Sequence, residues 1–246
     1  MLGGGAVMRG VGGDNHRIGL DEFSAVLDSV RWGDPHHSQP AVVSFTQPTD
    51  MGTMYAVDEI TAIADVAHAR GLRVHLDGAR IANAIAATGC SAADMTWRAG
   101  VDVLSLGATK NGAMSAEAIV CFDDRAADEL VYRTKRAGHV TSKMRFQSAQ
   151  LIAYLTDDTW LELATNANAQ MGRLSAGLVE RGVELVNQPD VNMLFARVDD
   201  PAADRLEAAG LLFYRMGPRG RDGVIRFVTS WQTTDVDVDR ALAAFG

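Results

Sequence analysis

The sequence predicts an α/β fold whose sheet is largely parallel. Two observations predict it: short apolar runs of strand length recur through the first half of the chain, and the segments between them carry apolar residues at helical spacing. Phe23, Val26, Leu27 and Val30 stand at i, i+3, i+4 and i+7, one apolar face of a first helix. The run AVVSF (41–45), bounded by Pro40 and Pro48, reads as a buried strand. Ile60, Ile63, Ala64 and Ala67 share a face of a second helix, which Gly71 is placed to end. LRVHL (72–76) is a second strand, and IANAIAAT (81–88) opens an Ala-rich third helix. VDVLSL (101–106) and AEAIVCF (116–122) supply a third and a fourth strand.

From about Asp123 the character changes. Residues 124–182 are helical in pattern, with few turn signals before Gly182. Beyond it GVELV (182–186), NMLFARV (192–198) and GVIRFVT (223–229) alternate with Ala/Leu-rich helical stretches. This assigns residues 1–149 to a larger α/β domain and 150–246 to a smaller C-terminal α+β domain.

At 246 residues, 47% hydrophobic and 22% charged, the chain has the make-up of a globular protein with a substantial core. A net charge of -8 argues against nucleic acid or an anionic membrane as a general partner. No apolar run approaches the roughly 20 residues a membrane helix needs, and MLGGGAVMRG lacks a signal-peptide pattern. Cys90 and Cys121 have no CxxC spacing and read as reduced core thiols of a cytoplasmic protein.

Several motifs are excluded by spacing. The early glycines do not form GxGxxG after a strand, Lys110 follows Thr109 and so makes no P-loop, and no GxSxG is present. His36 and His37 lack converging partners and read as a polar loop, so no metal site is expected. The basic run Arg133, Lys135, Arg136, Lys143 and Arg145 reads as a solvated helix face.

The stretch VHLDGARIANA (74–84) carries more chemistry. Asp77 stands at the carboxyl end of a strand, and Arg80 follows as a helix begins; ligands bind at such ends of open α/β sheets. Taken alone, Asp77 serves equally as a helix cap with Arg80 as its exposed neighbour. Lys110 follows another strand in the same manner, and it too has a plain reading as a loop lysine. If the two strands are neighbours, a carboxylate, a guanidinium and an amine converge at one edge. That set suits an aldehyde cofactor with a basic ring nitrogen: the amine bonds the aldehyde, and the carboxylate keeps the nitrogen protonated.

Asp77-Gly78-Ala79-Arg80, followed by a lysine 33 residues after the aspartate in LGATKNG, closely resembles the low-specificity threonine aldolases. These are pyridoxal 5'-phosphate (PLP) enzymes of the β-eliminating-lyase group. VVSFTQPTDMGTMY (42–55), SKMRFQSAQ (142–150), NMLFARV and IRFVTSW (225–231) extend the similarity along the chain. The resemblance implies the PLP-dependent fold type I: a three-layer αβα large domain and a small C-terminal domain, in oligomers that are homodimers or homotetramers. It implies retro-aldol cleavage of threonine or allo-threonine, with Lys110 bonding the cofactor, Asp77 on the pyridine nitrogen and Arg80 near the phenolic oxygen. Arg226 would grip the substrate α-carboxylate, Arg145 would contact the cofactor phosphate, and the segment from Gln47 to Asp50 would lie near the substrate hydroxyl. Relatives begin well upstream of Met1, and the preceding portion is expected to supply a phosphate loop, a ring stacked on the pyridine and part of a dimer interface. The same aspartate and lysine also serve other β-eliminating lyases and aminotransferases, and a shortened relative without catalysis is a third reading.

Overall fold

The protein is seen in a computed structural model that describes residues 5–128, 130–217 and 223–246. Helix α1 (Leu20–Asp28) buries Phe23 and Leu27 of the expected apolar face. Strands β1 (Val42–Thr46), β2 (Arg73–Gly78), β3 (Val103–Gly107) and β4 (Glu117–Cys121) form one sheet in that order. The first three are parallel, joined by crossovers through α2 (Val57–Ala69) and through α3 (Ile81–Thr88) with α4 (Ala92–Met95). β4 runs antiparallel to β3. The chain returns there through a short turn, whereas a parallel partner would need a crossover of roughly a dozen residues.

Side-chain alternation decides which face of the sheet is covered. Val43, Phe45, Val74, Leu76 and Leu104 pack against Ile60, Ile63 and Ala64 of α2 and Ile81, Ala84 and Ile85 of α3. Successive right-handed crossovers between neighbouring strands place both helices on one side. The described residues thus build the sheet and the helical layer over one face. The other face carries Val42, Ser44, His75, Asp77, Ser105 and Ile119; Val42 and Ile119 are 54% and 49% exposed.

The helical stretch after β4 divides into α5 (Asp124–Ala127), α6 (Leu130–Arg136), α7 (Arg145–Leu155) and α8 (Thr159–Glu180). The breaks coincide with left-handed residues at Gly138 and Lys143 and at Asp157 and Asp158. β5 (Met193–Arg197), α9 (Asp200–Ala208), β6 (Tyr214–Arg215), β7 (Val224–Val228) and α10 (Asp235–Phe245) follow. The strands form a second, antiparallel sheet in the order β5-β7-β6. Its core joins Leu194, Ala196, Ile225 and Phe227 to Met171, Leu174 and Leu178 of α8 and to Val238 and Leu242 of α10. GVELV forms no strand: Leu185 makes a single bridge to Ala196 before Asn187-Gln188-Pro189 turns the chain away.

Helix α8 belongs to both halves. Asn168 donates to the Asn83 carbonyl at 2.8 Å and accepts from the Asn83 amide at 3.0 Å, fastening α8 to α3. Among the described residues no helix is long and apolar enough to cross a membrane, and Cys90 and Cys121 are free thiols.

Candidate active site

Asp77 ends β2 and pairs in register with Ser105 of β3. Its Oδ1 accepts the Ala79 backbone N–H at 3.0 Å, which shapes the turn into α3. Its other carboxylate oxygen has no protein partner among the described residues. Arg80, the residue before α3, makes no side-chain cap, so neither residue is used up as a helix cap. β3 ends beside this turn at Gly107, where a β-carbon would stand 2.7 Å from the Ala79 Cα and 2.8 Å from its carbonyl oxygen. Only glycine permits that approach, which brings the chain towards Lys110 across the mouth of the Asp77 turn.

Lys110 lies in a single 3-10 turn, Thr109–Asn111, anchored on both sides. The Thr109 hydroxyl accepts the Ala116 N–H at 3.1 Å. The Asn111 amide donates to the Tyr154 hydroxyl and the Trp160 carbonyl, both at 2.8 Å. Between these anchors the Lys110 amine is exposed and has no protein partner among the described residues. A rigid turn with a free amine is what the sequence left undecided between plain loop and reactive lysine.

The segment after β1 bridges the two sheets. Its Gln47–Pro48 peptide is cis. Gly52 (φ 74°) presses so closely on β5 that a β-carbon would lie 2.2 Å from the Met193 carbonyl oxygen. Met54 N–H donates to Asp190 at 2.9 Å, and the Asn187 amide donates to the Met51 carbonyl at 3.1 Å. Gln47 is fully buried, with its amide on both backbone groups of Tyr55 at 2.9 and 3.0 Å. Its side chain satisfies buried backbone and so holds the segment that runs to Asp50. Asp50 is exposed at the tip of this segment, within electrostatic reach of Arg80.

Arg226 comes from the second sheet. It is the middle residue of the central strand β7, paired with Phe195 on one side and Tyr214 on the other. Its guanidinium lies 4.5 Å from the centroid of the Tyr214 ring. Its Nε is closed off from solvent without an acceptor. Electrostatics ties the groups together: Arg80 is held below the ordinary arginine value, chiefly by burial and next by the positive charge of Arg226, while Asp50 and Asp77 push it upward. Arg226, Asp50 and Asp77, from three distant segments, thus all lie within electrostatic reach of Arg80.

Arg145 is not drawn into this group by any described contact. It is exposed at the start of α7, with its guanidinium over the neighbouring Phe146 ring at 5.3 Å. Sequence reasoning missed His75, which bonds Ser44 Oγ through Nδ1 at 2.8 Å and Ser105 Oγ through Nε2 at 3.0 Å. Burial lowers its pKa and so favours the neutral ring, while the Asp77 charge opposes the shift. The signal was legible: His75 lies two residues before Asp77 and hence on the same strand face.

The donor set fits an aldehyde cofactor with a basic ring nitrogen. Lys110 offers a free amine, Asp77 an uncommitted oxygen, and Arg80 and Arg226 an adjacent cationic pair with an orphaned donor.

Comparison with known proteins gives the same direction. The family model described as "Beta-eliminating lyase" matches residues 2–201. A low-specificity L-threonine aldolase of Pseudomonas aeruginosa is 43% identical over 85% of this chain and 60% of its own length. The chain therefore spans about three-fifths of that curated relative. Among solved structures, the threonine aldolase of Leishmania major is similar with a TM-score of 0.84 at 25% identity, over 92% of this chain and 66% of that one. An aspartate aminotransferase of Thermus thermophilus, 16% identical with a TM-score of 0.62 over 83% of this chain and 59% of its own, shares the fold.

Proposed function

The chain belongs to the beta-eliminating lyase family, with the fold of the PLP-dependent fold type I enzymes, and we propose that within it the protein is a PLP-dependent aldehyde-lyase acting on β-hydroxy-α-amino acids. The reaction is retro-aldol cleavage of threonine or allo-threonine to glycine and acetaldehyde. What supports this reading is that Asp77, Asp50 and Arg226 lie within electrostatic reach of Arg80, with Lys110 three residues beyond the close approach of Gly107 to Ala79, in a chain 43% identical to a threonine aldolase.

PLP, when bound, supplies an aldehyde that captures amines and a ring that accepts the electron pair released at the substrate Cα. The residues do the rest. Lys110 would hold the aldehyde and yield it to the substrate amine, a role its partner-free position suits. Asp77 would keep a proton on the ring nitrogen with the oxygen that Ala79 leaves free. Arg80 lies within electrostatic reach of Asp77 and would meet the ring's anionic oxygen. Arg226 would take the α-carboxylate by charge-assisted hydrogen bonds and so hold the substrate in one orientation. Asp50 would lie near the substrate hydroxyl, whose proton must leave as the Cα–Cβ bond breaks and the aldehyde departs. Gln47 acts indirectly, by holding the loop that carries Asp50. Arg145 is proposed as a phosphate contact only on the strength of the sequence resemblance.

The test is direct. Incubation of the PLP-loaded protein with threonine should release acetaldehyde and glycine in equal amounts. Release of ammonia and a keto acid without acetaldehyde would instead assign it to the eliminating lyases or aminotransferases.

We further propose a cytoplasmic homo-oligomer, supported by the free cysteines and by α6 and α7, whose Val131, Tyr132, Phe146 and Ile152 are 71%, 78%, 61% and 67% exposed. Light scattering should give a mass of at least twice the protomer, and a monomer at micromolar concentration would refute it.

A further inference from the structure

Tyr214 has no place in the scheme above, yet its ring stacks directly on the Arg226 guanidinium. It stands on the short strand β6, in register with Arg226 of β7, and its ring faces the Arg226 guanidinium at 4.5 Å from the centroid. Cross-strand pairs of an antiparallel sheet hold their side chains side by side, so the stack follows from the pairing itself. Tyr214 is 64% exposed. Little of the ring is spent on core packing, and the guanidinium is its main described contact.

The stack answers a physical problem at Arg226. Its side chain has long rotamer freedom, its Nε lacks an acceptor, and the like charge of Arg80 lies nearby. Repulsion from Arg80 would favour swinging the guanidinium away. A ring whose negative face covers the cation opposes that swing and leaves the edges of the planar fork free for an anion. Phe195, the register partner on the other side, is buried and limits motion in that direction.

We propose that Tyr214 is a positioning residue: its ring fixes the plane of the Arg226 guanidinium and thereby presents the fork to the substrate carboxylate. This rests on the reading of Arg226 as the carboxylate anchor. The ring acts through its face, so Tyr214→Phe retains the function and Tyr214→Leu loses it.

Two measurements separate the proposal from the reading beneath it. In the first, on protein without cofactor, the Arg226 Nε–Hε signal should lie upfield in wild type and Tyr214→Phe and return to the ordinary arginine position in Tyr214→Leu. An ordinary position in wild type would overturn the stack. In the second, PLP-loaded protein is titrated with glycine and with glycinamide, which lacks the carboxylate. Wild type should prefer glycine; no preference would sink the assignment of Arg226 and this proposal with it. Given that preference, Tyr214→Leu should weaken glycine about three- to tenfold and leave glycinamide and Tm unchanged, while Tyr214→Phe binds as wild type. Equal loss for both ligands, unchanged glycine binding in Tyr214→Leu, or a Tyr214→Phe variant as weak as Tyr214→Leu would each overturn it.

Discussion

Lys110→Ala is expected to lower threonine cleavage by about a thousandfold or more, and to remove the visible absorbance of the lysine-bonded cofactor. The loss should come without a loss of fold. Lys110 is exposed and bonds nothing among the described residues, and the turn around it is held by Thr109 and Asn111. Exposed substitutions of this kind shift stability by no more than about 0.5 kcal/mol. Thermal unfolding of the variant should therefore overlay that of the parent. Near-parental cleavage by the variant would remove Lys110 from the chemistry.

Asp77→Asn is the second large effect, on the order of a hundred- to a thousandfold in kcat. The substitution is nearly isosteric, and an asparagine oxygen can still accept the Ala79 N–H that shapes the turn. What is lost is the negative charge at the free oxygen, which keeps a ring nitrogen protonated. The same variant carries an internal check. The Asp77 charge raises the His75 pKa against the lowering by burial, so its removal should shift the His75 titration to still lower pH. An NMR titration that shows this shift with kcat intact would leave Asp77 as a structural carboxylate and refute its assignment.

The residues differ in how legible they were, and the reason is the range of the forces that place them. Asp77 and Lys110 were readable because each follows an apolar strand within a few residues, and strand ends are local features. Arg226 was named only through the resemblance in IRFVTSW, since nothing in that stretch names its neighbours. Gln47 was named only through the resemblance, and nothing local announces that the loop folds inward and sets its amide on the Tyr55 backbone. Arg145 shows the same limit: helix periodicity places it on α7 without saying whether that face meets the site. Tyr214 left no signal, since a two-residue strand has no periodicity to detect.

The sequence by itself determined the alternation of strands and helices in the first half and the positions of Asp77, Arg80 and Lys110 at strand ends. Hydrophobic periodicity and the Gly and Pro breaks act over a few residues and can be read directly. Only the tertiary structure decided that β4 turns back antiparallel, that the helices lie over one sheet face, and that Arg226 and Tyr214 arrive beside Arg80 from the second sheet. Those outcomes depend on pairings between segments far apart in the chain. Register across a sheet and the burial of one loop against another are energies of the assembled molecule, and no local window contains them.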